Sequence, residues 1–228
     1  MSIRAFLFDM DGLLMDTEAL HIRAYAELTA RVGRAQSPES LRRFIGHTHL
    51  VTCKWLIEEA GCRMTMDELA DAEQVIYFEL LEKERPPALP GVREMFDIGD
   101  RLKFGRALVS SSAGNQVHPT MQIIHTHLER DGVWRDHFQS ICTGERVTNR
   151  KPAPDLYQLA MSEMGLEPNE CVAFEDSPAG ITSALAAGLR VVAVPNYHLD
   201  SDEVVQGRTP LVYKTLLDAA GDLERILA

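Results

Sequence analysis

Asp9 and Asp11 stand one residue apart at the end of the apolar run Ile3 to Phe8, and Gly12 follows at once. A buried strand that runs straight into two carboxylates needs a chemical reason. With side chains alternating along a strand, Asp9 and Asp11 fall on one side, and Gly12 lets the backbone turn just beyond them. Two carboxylates this close repel each other, so one takes up a proton unless a cation sits between them. Oxygen ligands suit a hard divalent cation such as Mg²⁺. A carboxylate can also act as a nucleophile and form an aspartyl-phosphate. The same residues, taken alone, equally fit a strand closing in an Asp-Gly turn with solvated side chains.

Three other places carry side chains of the same kind. Ser110, Ser111 and Ser112 follow the short apolar stretch 106–109. Lys151 opens the run Lys151-Pro152-Ala153-Pro154-Asp155, and Glu175-Asp176 ends the apolar stretch 171–174 ahead of Ser177-Pro178-Ala179-Gly180. Each has a plain alternative. A serine after a strand can start a turn or helix, a lysine is usually solvated, and acidic residues favour a helix N-terminus.

The elements that would position these residues can be read from periodicity. Residues 18–84 are helical in pattern, with Leu20, Ala24, Leu28 and Val32 at helical spacing and further helices expected over 37–46, 50–60 and 66–83. The segment Arg85-Pro86-Pro87-Ala88-Leu89-Pro90-Gly91 ends this region. Beyond it strands alternate with helices: strands at 106–109, 139–142, 171–174 and 190–194, an edge strand at 211–213, and helices at 93–99, up to 128, 155–164 and 178–187. Alternation of this kind predicts an α/β fold, a doubly wound Rossmann-like parallel sheet whose strand ends share one edge. Asp9, Asp11, Ser110, Glu175 and Asp176 should meet there. The all-helical stretch reads as an inserted cap domain at 17–87, leaving a discontinuous core of 1–16 and 88–228.

The four motifs, in this order, resemble those of the haloacid dehalogenase superfamily, in its phosphatase and β-phosphoglucomutase-like branch with a helical cap. The resemblance implies roles. Asp9 would attack phosphorus, and Asp11 would protonate the leaving alkoxide and then activate water. Asp9, Asp11 and Asp176, with Glu175 as a further ligand, would hold Mg²⁺. Ser110 would bond the phosphoryl group with help from the backbone NH groups of Met10 and Ser111, and Lys151 would offset its charge. Asp16-Thr17-Glu18 matches the pattern that follows the first motif in such phosphatases, with Asp16 and Thr17 read as hinge residues. Gly46-His47-Thr48-His49 falls where the family keeps its specificity loop, making His47 and His49 candidate substrate contacts, with surface histidines as the alternative. Sugar-phosphate mutases usually present an arginine soon after that glycine, which favours a phosphatase over a mutase here. Dehalogenase chemistry is disfavoured because both Asp11 and Asp176 are present.

The totals agree with a small-molecule enzyme. The 228 residues carry 34 acidic and 23 basic side chains, a formal net charge of -11, which argues against nucleic acid or an anionic membrane as partner. The expected partner is a small phosphorylated metabolite, and the chain is expected to be a monomer or weak homo-oligomer. Cys53, Cys62, Cys142 and Cys171 include no Cys-x-x-Cys pair and are expected as buried free thiols in a reducing, cytoplasmic setting. No signal peptide is expected ahead of the first strand, and no apolar run approaches the roughly 20 residues of a membrane span.

Overall fold

The computed structural model describes residues 2–45, 49–196 and 200–228. Two compact units emerge, Met1–Met15 with Pro87–Ala228, and Asp16–Pro86. Each break lies one residue before the boundary expected from the sequence.

Strand β1 (Ala5–Phe8) is buried along its whole length. Such a strand must be covered on both faces, as parallel strands are. The helical unit follows, with α1 (Glu18–Arg31), α2 (Pro38–Leu41), α3 (His49–Glu58) and α4 (Met66–Glu84). Leu20, Ala24 and Leu28 line the buried stripe of α1, whereas Val32 lies past the helix end and is exposed. The helix expected over 37–46 is one α turn continued by a 3₁₀ turn, Arg42–Phe44. A reciprocal cap starts α4: Glu68 N donates to Thr65 Oγ1 at 3.2 Å and Thr65 N donates to Glu68 Oε2 at 2.8 Å. Caps of this kind contribute about 1 kcal/mol.

The α/β unit resumes with α5 (Val92–Leu102), β2 (Gly105–Val109), α6 (Gly114–Leu128), β3 (Ser140–Cys142), α7 (Asp155–Met164), β4 (Cys171–Glu175), α8 (Pro178–Ala186) and β5 (Arg190–Ala193). Three short helices follow, α9 (Ser201–Val205), α10 (Leu216–Gly221) and α11 (Leu223–Leu227). The five strands form one parallel sheet in the order β3-β2-β1-β4-β5, with β1 at its centre. The residues expected as an edge strand, 211–213, make only an isolated parallel bridge, Ala193 to Val212. Two backbone bonds hold it, Ala193 N to Leu211 O and Tyr213 N to Ala193 O.

Alternation along β1 divides the core. Phe6 and Phe8 point to one face, where Phe8 stacks on Phe174 at 5.0 Å and Phe6 meets Phe104 edge-on at 5.2 Å. Ala5 and Leu7 point to the other, into a cluster with Ala107, Val109, Ala173, Tyr157 and Ile181. Burying a large apolar side chain is worth about 1.5–3 kcal/mol, so both faces anchor β1 firmly. The strand that carries Asp9 is therefore firmly fixed in the unit. Register then places the site. Phe8 pairs with Leu108 on one side and Phe174 on the other. Asp9 thus comes level with Val109 and Glu175.

Candidate active site

Asp9 leaves the end of β1 with its backbone NH bonded to Phe174 O at 3.1 Å. Its carboxylate is buried and meets Lys151, whose Nζ donates to Asp9 Oδ1 at 2.5 Å and to Val109 O at 2.7 Å. The same ammonium lies 2.6 Å from Glu175 Oε1. Lys151 is therefore not solvated; its side chain is 4% exposed. Tyr157 Oη, from α7, also donates to Glu175 Oε1 at 2.5 Å. With both donors on Oε1, Oε2 of Glu175 is buried with no hydrogen-bond partner among the described residues.

Carboxylate oxygens of Asp9, Glu175 and Asp176 all lie within 4.8 Å of one another, and all three residues are buried. Among the described residues the Lys151 ammonium contacts two of them, Asp9 and Glu175. Burial pushes the Asp9 carboxyl well above the usual carboxylate range; Lys151 pulls it down, but Glu175 and Asp11 add to the upward push. Burial disfavours the Lys151 ammonium, yet Asp9 and Glu175 outweigh it and hold Lys151 more firmly protonated than an ordinary lysine. Two buried carboxylates thus share the Lys151 ammonium. An all-oxygen donor set with an orphaned carboxylate oxygen fits a hard divalent cation.

Two glycines make room for this cluster. Gly12 has φ +78°, and a Cβ there would lie 2.1 Å from Asp176 Oδ2. Gly180, in the first turn of α8, would place a Cβ 1.7 Å from Glu175 Oε2. Ser177 caps that helix by accepting from Gly180 N at 3.2 Å. Overpacking a filled site costs about 1–3 kcal/mol. Gly180→Ala is expected to lose that much stability by displacing Glu175, read from the denaturant midpoint. An unchanged midpoint would show that the first turn of α8 can yield without cost.

Asp11 is held from the other side. Ser110 Oγ and Ser112 Oγ donate to Asp11 Oδ2 at 3.2 and 2.7 Å. Ser110 is fully buried at the end of β2, and its Oγ accepts from Ser112 N at 3.0 Å. Ser111 Oγ is buried with no partner among the described residues. The structure thus brings Asp9, Met10, Asp11, Ser110, Ser111, Lys151, Glu175 and Asp176 to one edge of the sheet. Ser112, Tyr157 and Gly180 join them; Ser112 and Gly180 lie in runs that the sequence singles out, but with no role assigned to them, and Tyr157 lies in neither.

His49 belongs to the helical unit and is described there. It meets Tyr25 Oη at 3.0 Å and lies edge-on to His21. His47, with Gly46 and Thr48, lies outside the described residues. Asp16 Oδ1 accepts from Ala19 N at 3.4 Å, a long cap bond at the start of α1. All four cysteines are buried free thiols. Among the described residues no helix is long and apolar enough to cross a membrane.

The profile of the haloacid dehalogenase-like hydrolases matches residues 6–194. The chain belongs to that family. It is 33% identical over 210 residues to the protein CbbY of Rhodobacter capsulatus, spanning 89% of this chain and 90% of the relative. It is 32% identical over 194 residues to hexitol phosphatase A of Escherichia coli, spanning 85% and 84%. Its fold matches the crystal structure of CbbY from Rhodobacter sphaeroides in complex with phosphate with a TM-score of 0.82 at 25% identity, covering 96% of this chain and 99% of that one. Enzymes named as phosphatases thus stand among its curated relatives.

Proposed function

We propose that the protein is a Mg²⁺-dependent phosphatase that hydrolyses a small phosphorylated metabolite, a sugar phosphate or similar, through an aspartyl-phosphate on Asp9. The observation that carries this is the pairing of a buried Asp9, braced by Lys151 at 2.5 Å, with an Asp11 held by two hydroxyls. One carboxylate is fixed by an ammonium for attack, and the other is oriented for proton transfer.

Asp9, Glu175 and Asp176, with Asp11 close by, would hold Mg²⁺. When bound, the ion would draw negative charge away from the phosphoryl oxygens and relieve the repulsion among the carboxylates. Asp9 would attack phosphorus in line, breaking the bond to the leaving oxygen, and Asp11 would give that oxygen its proton. Asp11 would then take a proton from water as the water attacks phosphorus, releasing phosphate and regenerating Asp9. Lys151 would keep the Asp9 carboxylate ionised and oriented while a dianion approaches. Ser110 and Ser112 would fix Asp11, and the Ser111 hydroxyl and the backbone NH groups near Met10 and Ser111 would serve the phosphoryl oxygens.

The same core could serve a phosphosugar mutase, which must anchor a second phosphate on its cap. Arg43 packs 4.1 Å from the Trp55 ring centre, and Arg42 lies 3.4 Å from Glu39. An imidazole is a compact, titratable donor and holds a dianion less well than a permanently charged guanidinium. A panel of sugar and polyol phosphates, assayed with Mg²⁺ for both free phosphate and isomerised product, tests the assignment. Phosphate release should dominate, including with β-glucose 1-phosphate primed by its bisphosphate, if that sugar is accepted. Net isomerisation faster than phosphate release would make the mutase the better assignment. Undiminished turnover in chelator would remove the Mg²⁺.

A further inference from the structure

The helical unit contains a second cluster of ligand-type side chains. His21 from α1, His49 from the start of α3 and Glu73 from α4 converge, with candidate ligand atoms all within 4.8 Å of one another. His21 Nδ1 lies 2.8 Å from Glu73 Oε1, and His49 Nδ1 lies 3.8 Å from Glu73 Oε2. Glu73 is only 1% exposed. His21 is locked in place, stacked on the Tyr77 ring at 4.2 Å and set edge-on to His49 at 4.6 Å.

The geometry points to a Zn²⁺ site formed by His21, His49 and Glu73, which pins three helices of this unit together. Four ligands at about 2.0–2.1 Å in a tetrahedron stand roughly 3.3 Å apart. The two histidine–carboxylate separations, 2.8 and 3.8 Å, straddle that value. A single shared proton suits the short contact, but the longer one exceeds hydrogen-bond reach; one ion satisfies both carboxylate oxygens. Imidazole nitrogen with a carboxylate oxygen is a donor set that Zn²⁺ favours over Mg²⁺ or Ca²⁺. A cavity of about 40 Å³ lies beside the two histidines, lined also by Glu18, Ile22, Tyr25, Phe44 and Thr52. That space admits a water or two as remaining ligands. Tyr25 Oη, now 3.0 Å from His49 Nδ1, has Cys53 Sγ at 3.4 Å as its alternative partner when a metal takes the imidazole.

Equilibrium dialysis against Zn²⁺ tests the site in full-length protein carrying Asp9→Asn and Asp176→Asn, which disable the carboxylate cluster on the sheet edge. One equivalent of Zn²⁺ should bind, and X-ray absorption at the zinc edge should show two imidazole ligands. Loss of a second-shell partner alone typically costs about 10–100-fold in metal affinity. Adding His49→Ala or His21→Ala should therefore weaken binding by roughly 100-fold or more. His49 is half-exposed, so its variant keeps the test sound should Glu73→Gln disturb the buried helix contact. No Zn²⁺ uptake by the parent protein overturns the site, as does uptake unchanged by both histidine substitutions in variants shown to be folded by circular dichroism.

Discussion

Asp9→Asn should abolish turnover, by at least about 10⁴-fold, while making the metal-free protein more stable. The first effect follows from losing the attacking carboxylate; removing the nucleophilic serine of a protease costs on the order of 10⁶-fold in turnover. The second follows from the charge balance. Burial holds the Asp9 carboxyl above its ordinary value of 3.8 despite Lys151, because Glu175 and Asp11 crowd it. The folded state therefore binds the Asp9 proton more tightly than the unfolded chain does. Stability from this group is complete below pH 3.8 and is lost as pH rises through the folded value. Asparagine carries no such penalty. Thermal denaturation in chelator should show the variant melting above the parent at neutral pH, with the gap closing as pH falls towards the ordinary carboxylate range. A variant that melts below the parent at pH 7 would mean that the Asp9–Lys151 pair outweighs the repulsion among the acids.

Lys151→Met should produce the largest loss of stability of any single change at the site. The substitution keeps the length of the chain but leaves Asp9 and Glu175 buried beside Asp176 without their ammonium. Breaking a buried ion pair by removing one partner costs about 3–5 kcal/mol. Removing one preorganised electrostatic contact also costs about 10²–10³-fold in turnover. Two readouts separate these effects. Added Mg²⁺ should restore part of the denaturant midpoint by supplying charge to the carboxylates, yet turnover should stay low. A midpoint within about 1 kcal/mol of the parent, with turnover within tenfold, would mean that the lysine contributes neither charge balance nor orientation.

The strand-end residues were legible because each lies just after a short apolar run in a βα alternation, where position and residue type coincide. Register does the rest: once β1 is central and paired to β2 and β4, Asp9 must come level with Val109 and Glu175. Tyr157 was not legible, since a tyrosine at a helical core position looks like packing until its hydroxyl is seen on Glu175, 18 residues away. Ser112 and Gly180 lay within runs that the sequence singled out, yet their roles were not legible for similar reasons. A third serine in a run and a glycine in a first helical turn acquire meaning only from a carboxylate elsewhere in the chain. His21 and Glu73 lie 52 residues apart, with nothing in local spacing to connect them. The stretch 211–213 shows the opposite error: apolar content suggested a strand, but only one bridge forms against β5.

The central claim is that Asp9 carries the phosphoryl group. Its most direct test is rapid quench of the Asp11→Ala variant with Mg²⁺ and an activated phosphoryl donor, followed by proteolysis and mass mapping. Without Asp11 to activate water, the phosphoenzyme should persist. The added phosphate should map to Asp9 and be released by hydroxylamine, as an acyl phosphate is. Phosphate found on Ser110, or no phosphoenzyme in a variant that still turns over, would contradict it.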